Sequence, residues 1–562
     1  MKTLFKKMIP KSKHDLARHV INKIKQIHTD EQTKRFIKHN QEVWKDFSGA
    51  GSGPKAEVLF EWTPMQPNII AYSYMANVLA KKHDAQIMTY SFGENNYIPR
   101  LYSKIYKSFN AKTFSYFLTQ NQLVELEKLF NEVYSGLKTK KDVFNLSVSG
   151  LWFGDLLYDS HLRTYNVPTV VINDHRFKES LKKALYQYIF WRDYFADHNV
   201  KAINVTHCAY LIALPMRIAI QRSIPAYQCN FQGCYYMTSE RLWAYTDYYD
   251  YPRQFRELPE DKQRSGLKIA RERIESRFAG KVGVDMAYST KSAYTNTRRG
   301  RVLSQNNKIK ILIAAHCFFD SPNGLGVNLF PDFYEWLTFL GNISERTDYD
   351  WYIKTHPDYL PGNTAIIDEF INKYPKFTLI PAETSHHQII DEGIDFALTV
   401  YGTIGFEYAV LGVPVINASL CNPHVAYNFN IHPKTIDEYE RILMNLADQK
   451  LDVNVDEVYE YYYMHHIERY MSNWLCSDYK RLLDEIGGYK MHFTPLAYEK
   501  FLAEFSQERH NRSLQLLEHF IDSKDYCMQV EHYRDKEASA HERYEAATGP
   551  ELPDDALSKG YS

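Results

Sequence analysis

The sequence predicts an α/β protein of two Rossmann-like domains facing each other across a cleft. A basic helical segment precedes them, and a helical, then disordered, tail follows. Three observations carry this reading. The chain has 562 residues, a length that calls for more than one core. Short apolar runs alternate with helix-length segments in two separate stretches, the pattern of a mainly parallel sheet covered on both faces. Between those stretches, residues 280–308 form a polar, aperiodic run that reads as an interdomain linker.

The elements follow in order. Residues 1–50 make an N-terminal segment, and its first 28 residues carry eight Lys or Arg and one acid. Leu16, Val20, Ile21, Ile24 and Ile27 recur there at helical spacing. Such a basic helix either lies on an anionic membrane face or packs on the body with its charges solvated. The first domain is expected over 55–290. A Gly/Ser/Pro run leads into the strand Val58–Phe60, a helix over about 68–82 and the strand "QIMTYSF", a β-α-β opening. Further strands are expected in "TVVIND" (169–174), "KAINVTH" (201–207) and "IPAYQCN" (224–230), with the helix "KESLKKALYQYIFWRDYFADH" between the first two. The second domain is expected over 305–485. From "KIKILIAAH" (308–316) to "VPVINAS" it reads β-α-β-α-β-α-β-α-β. The tail, 486–562, begins helical, and past 530 its charged, apolar-poor composition predicts disorder.

Composition narrows the function. A net charge of −1 argues against a dedicated nucleic-acid binder. Seven cysteines with no CxxC pair read as reduced thiols rather than a disulfide frame or a zinc site. No apolar run approaches the roughly 20 residues that span a bilayer, and no signal peptide opens the chain. A cytoplasmic protein is expected, peripheral on the inner membrane face if residues 1–28 bind lipid. No P-loop, HExxH or metal-binding acid triad occurs, so metal-independent chemistry with no cofactor is expected.

In open α/β sheets ligands sit beyond the carboxyl ends of the strands. In the second domain those positions hold His316 after "ILIAA", Lys354, His356 and Pro357 after "WYI", and Gly402-Thr403 after "FALTV". Gly402 permits close backbone approach, and Thr403 can cap the helix "IGFEYAVLG" or leave its N–H groups to a phosphate. Glu407, one turn on, offers a carboxylate to ribose hydroxyls. In the first domain "GDLLYDSHLR" gathers Asp155, Asp159, His161 and Arg163, with the two acids on one helical face. Two carboxylates beside an imidazole suit acid/base or nucleophilic glycosyl chemistry, or else form a capped, solvated helix start. Glu61 at the end of the first strand, Asp174-His175-Arg176, and His207 after "INVT" are further candidates facing the cleft.

The stretch "WYIKTHPDY", followed about forty residues later by "FALTVYGTIGFEYAVLGVPVIN", resembles the bacterial capsule and surface-polysaccharide biosynthesis glycosyltransferases. Among these are the capsule β-Kdo transferases of the GT-B fold. The resemblance takes in "HCFFDSPNG" and "LFPDFYEWL" and, more loosely, "GLWFGDLLYDSHLRTY". It implies transfer of a sugar from a nucleotide-activated donor to a glycan or glycolipid acceptor. In that family the His-Pro pair and the small-residue helix start hold the nucleotide phosphate, which assigns His356, Gly402 and Thr403 to it and Glu407 to the ribose. The Ser-type residue usual at that helix start is replaced by "YGT", so CMP- and NDP-activated sugars both remain open. A sugar-nucleotide epimerase, a teichoic-type polyol-phosphate transferase and a non-catalytic assembly or export factor are the alternative readings.

Overall fold

The computed structural model describes residues 29–47, 56–91, 98–286, 289, 291–295, 298, 300–355, 362–468, 474–476 and 493–528. The basic segment 1–28, the His356-Pro357 pair and the chain beyond 528 lie outside the described residues. The strands are β1 (Ala56–Glu61), β2 (Ala85–Tyr90), β3 (Lys112–Phe114), β4 (Ser147–Val148), β5 (Leu151–Trp152), β6 (Val200–Val205), β7 (Ala226–Cys229) and β8 (Cys234–Met237), then β9 (Lys310–Ala314), β10 (Asp350–Lys354), β11 (Phe377–Ile380), β12 (Phe396–Thr399) and β13 (Val415–Asn417).

They form two main sheets. The first runs β3-β2-β1-β6-β7-β8, parallel except for the β7–β8 hairpin. The second runs β11-β10-β9-β12-β13 and is parallel throughout. In each, the opening strand lies inside the sheet and the winding direction reverses beside it, between β1 and β6 and between β9 and β12. That reversal defines the doubly wound Rossmann pattern and opens a crevice at the strand ends. The chain is therefore an α/β protein with two Rossmann-like domains, as its alternating pattern predicts.

One expected strand is absent. Residues 169–174 form turns, because Asn166 ends the preceding helix in a left-handed conformation and Asp174 caps the helix His175–Asp197. The few residues between them run from one helix to the next, and Val171 is exposed. The helix Gly154–Tyr165 follows the small β4–β5 hairpin, whose turn residues Ser149 and Gly150 both have positive φ. Gly154 admits no side chain, since a Cβ there would lie 2.3 Å from the Phe144 and Val143 carbonyl oxygens.

Packing crosses the expected boundaries. The helices Tyr251–Glu257 and Glu260–Phe278 share a core with Phe406, Phe429 and Tyr461 of the second domain. From the polar run 280–308, Tyr294 and Leu303 are buried, the latter in the core beneath Leu312 and Tyr352. The C-terminal helices Leu496–Glu504 and Gln507–Ser523 return to the first domain and cover the helix Gln66–His83. That helix is apolar around most of its circumference, so one sheet face cannot cover it, and Tyr498, Leu517 and Phe520 supply the second layer. The return ends on the sheet edge, where Met528 N–H bonds the Cys234 carbonyl at 2.9 Å. Among the described residues no helix is long and apolar enough to cross a membrane.

Candidate functional site

At the switch point of the first sheet, β1 ends in Glu61 and β6 is followed by Thr206 and His207. These three residues line a cavity of about 780 Å³. Trp62, Met65, Leu211 and Ile212 form apolar walls, and Ser160, Arg163, Glu179 and Lys183 add polar groups from two helices. Glu61 is buried, and its Oε2 accepts hydrogen bonds from the Thr206 N–H and hydroxyl, both at 2.8 Å. Burial outweighs those two bonds and pushes the Glu61 carboxyl up to about 8. His207 opens its ring to the cavity, while its Nδ1 accepts the Ala209 N–H at 3.3 Å. With Nδ1 accepting that N–H, the ring's proton sits on Nε2.

At the switch point of the second sheet, His316 follows β9 and Tyr401-Gly402-Thr403 follow β12. His316 Nε2 accepts the Val400 N–H at 3.1 Å and lies 2.9 Å from the Thr399 hydroxyl. Thr399 Oγ1 in turn accepts the Gly402 N–H at 3.1 Å. The ring is stacked on Phe333 with centroids 4.6 Å apart. His316 is thus locked to the loop that opens the helix Ile404–Val410. A Cβ on Gly402 would stand 2.7 Å from Thr399 Oγ1, so only glycine fits while that network is intact. Thr403 makes no side-chain cap and is exposed at the helix start, where the Gly405 and Phe406 N–H groups bond to the Gly402 and Thr403 carbonyls.

The two edges meet. Tyr210, which lines the first cavity, donates its hydroxyl to Asp320 Oδ1 at 3.1 Å, and Arg163 lies 3.8 Å from the same carboxylate. Asp320 belongs to the loop that follows His316. Tyr210 holds φ 61° and ψ 172°, a backbone region that a side-chain-bearing residue adopts only when its surroundings enforce it.

Other residues singled out in the sequence are placed elsewhere. Asp155 is buried in a two-point ion pair with Arg217, at 2.7 and 2.5 Å. Asp159 is buried at the domain interface, accepting the Asn323 N–H at 3.1 Å and the Asn323 amide at 2.9 Å. His161 is buried with Nδ1 3.0 Å from Ser180 Oγ, and burial pushes its pKa down to about 4. The three therefore face three different partners rather than one substrate. Asp174 caps its helix and holds Arg176. Lys354 is buried and donates to the Ala382 carbonyl at 2.7 Å, and burial lowers its pKa to about 8. Glu407 is buried, with Oε1 2.9 Å from Arg277 Nε and Oε2 accepting the Tyr294 hydroxyl at 2.8 Å. Its carboxylate ties the linker and the helix Glu260–Phe278 to the second domain. The sequence pattern does not single out Thr206, Tyr210 or Asp320. Taking the residues after each strand in the first domain, as in the second, selects Thr206, whereas the Tyr210–Asp320 contact depends on how the domains meet.

No family model and no curated protein sequence matches the chain. Among solved structures the chain is similar to KpsC, the β-Kdo 2,4 transferase of Thermosulfurimonas dismutans. Identity is 13% over 48% of this chain and 85% of that one, with a TM-score of 0.28. A glycosyltransferase of Rickettsia africae is 9% identical over 81% and 100% of the two chains, with a TM-score of 0.22. The UDP-GlcNAc 2-epimerase of Neisseria meningitidis, solved with UDP-GlcNAc bound, is 12% identical over 72% and 97%, with a TM-score of 0.21. The two sheet orders, not these likenesses, define the fold.

Proposed function

We propose that the chain is a glycosyltransferase that moves a sugar from a CMP- or NDP-activated donor to a glycan or glycolipid acceptor. The observation that supports it best is the facing of two Rossmann switch points, one of them opening a cavity onto Glu61 and His207. In this reading the donor phosphates lie at the Gly402-Thr403 turn, which His316 and Thr399 hold in place. His356 and Pro357, next in the sequence after Lys354-Thr355, keep the phosphate role that the family resemblance implies. The buried Lys354 positions the next loop through Ala382. The acceptor occupies the first cavity. Ionised Glu61 takes the proton of the acceptor hydroxyl as its oxygen bonds to the anomeric carbon. The glycosyl–phosphate bond breaks at the same time, and its electron pair leaves with the nucleotide. Asp155, Asp159 and His161 hold the helix that forms the cavity wall. The segment 1–28 would keep the enzyme on the anionic inner face of the membrane.

The test is calorimetric titration with CMP, UDP and GDP, followed by product analysis with the corresponding sugar nucleotides. Binding of one nucleotide and a product with the sugar joined to an acceptor are expected, and Glu61→Gln should lower turnover by about a hundredfold or more. An isomerised free sugar nucleotide would make the chain an epimerase. Absence of binding by any nucleotide would sink both enzyme readings.

A further inference from the structure

The contacts around Glu61 specify more than its presence in the cavity. Thr206 donates twice to the same oxygen, Oε2, once from its N–H and once from its hydroxyl. Oε1 has no protein partner among the described residues, and Glu61 lines the cavity. We propose that Thr206 is a positioning residue that makes Oε1 of Glu61 the cavity-facing atom that holds and releases a proton. With the Thr206 N–H and hydroxyl both directed at Oε2, protonation on Oε1 keeps both bonds, whereas protonation on Oε2 would force the hydroxyl to turn round and accept. The proton is therefore exchanged on the cavity side rather than with the protein interior. The next residue, His207, fixes its own Nδ1 on the Ala209 N–H and keeps Nε2–H as a donor into the same space.

The groups around Glu61 leave its titration to Thr206 and burial. Tyr72 from the helix Gln66–His83, Tyr90 from β2, Tyr106 from the helix Arg100–Ser108 and Tyr116 after β3 all feel the Glu61 charge. Burial pushes each of these phenols upward, so none ionises where Glu61 does. The His207 pKa is pushed down, away from that range. Arg163, Glu179 and Lys183 stand on the cavity wall contributed by the helices Gly154–Tyr165 and His175–Asp197. Both Thr206 bonds favour the ionised carboxylate and act against burial. Removing the hydroxyl therefore moves the Glu61 titration to higher pH, while keeping it in a smaller side chain leaves the titration in place.

That this proton comes from an acceptor hydroxyl rests on the proposed transferase reading, but the proton's location does not. The test is an infrared titration of the full chain, with the protonated carboxyl of Glu61 isolated as wild type minus E61Q. The signal should be present at neutral pH and half lost near pH 8, as it should in Thr206→Ser. In Thr206→Val the midpoint should rise by about one pH unit, a tenfold change in the ionisation constant. If Thr206→Val does not fold, Thr206→Ala carries the same expectation. A hydroxyl-lacking variant that titrates with the wild type, or no protonated carboxyl at neutral pH, overturns the proposal. The measurement uses no substrate. A normal titration without sugar transfer therefore sinks the transferase reading and leaves this one standing.

Discussion

At the residue scale, His316 illustrates how a ring can serve a site through the backbone. Its Nε2 is the acceptor for the Val400 N–H, so the imidazole holds the turn that carries Gly402 rather than acting as a freely rotating group. His316→Ala leaves that N–H unsatisfied in a partly buried place, a cost of about 1–3 kcal/mol. Nucleotide affinity, measured by calorimetry, should fall because the turn loosens. His316→Gln offers an oxygen near the position of Nε2 and should recover part of the loss. Equal weakening by both variants, with melting temperatures unchanged, would mean that His316 meets the nucleotide itself.

At the element scale, the helix Gly154–Tyr165 is pinned on each side by a different partner. Arg217 reaches Asp155 from the helix Leu214–Gln221, and its guanidinium also lies over the Trp152 ring at 4.7 Å. Removing one member of such a buried pair strands the other charge, which costs about 3–5 kcal/mol. Asp155→Ala should therefore lower the midpoint of urea unfolding clearly. A variant with wild-type stability but no activity would return Asp155 to the catalytic role that its spacing from Asp159 predicted. The i, i+4 spacing did place the two acids on one helical face. It could not say whether that face meets solvent, Arg217 or the other domain.

At the scale of the whole molecule, stability should depend on acid. His161 and His424 are buried, and burial pushes their pKa values down to about 4 and about 3 from the 6.5 of an unfolded chain. The unfolded chain thus binds protons that the folded one refuses. This contribution is complete above pH 6.5 and is lost as the pH falls from there, through about 4 for His161 and about 3 for His424. Thermal melts recorded across that window should show a falling melting temperature, with a shallower fall in His161→Gln; parallel curves would contradict the assignment. The C-terminal return makes a second demand on the whole chain. A chain stopped at residue 494 lacks Tyr498, Leu517 and Phe520 and exposes the helix Gln66–His83. It should be insoluble or molten by near-ultraviolet circular dichroism, and a native spectrum would show that the two C-terminal helices are dispensable to the first domain.

What the sequence determined by itself was what depends on neighbours in the chain. The alternation of strand and helix was legible, as were the strand ends that place Glu61, His207, His316 and Gly402 at the carboxyl edges. The reason is that side-chain periodicity and turn residues act over a few positions. The strand expected at 169–174 marks the limit of that rule, since an apolar run bounded by two helix caps looks the same locally. Only the tertiary structure decided which polar groups remain available. Glu407 meets Arg277 and Tyr294, 130 and 113 residues away in sequence, and Asp159 meets Asn323 across 164. Partners that distant come together only when the domains pack. A buried carboxylate is then driven to whichever donors surround it, because leaving it unpaired in a low-dielectric interior costs more than any local preference returns.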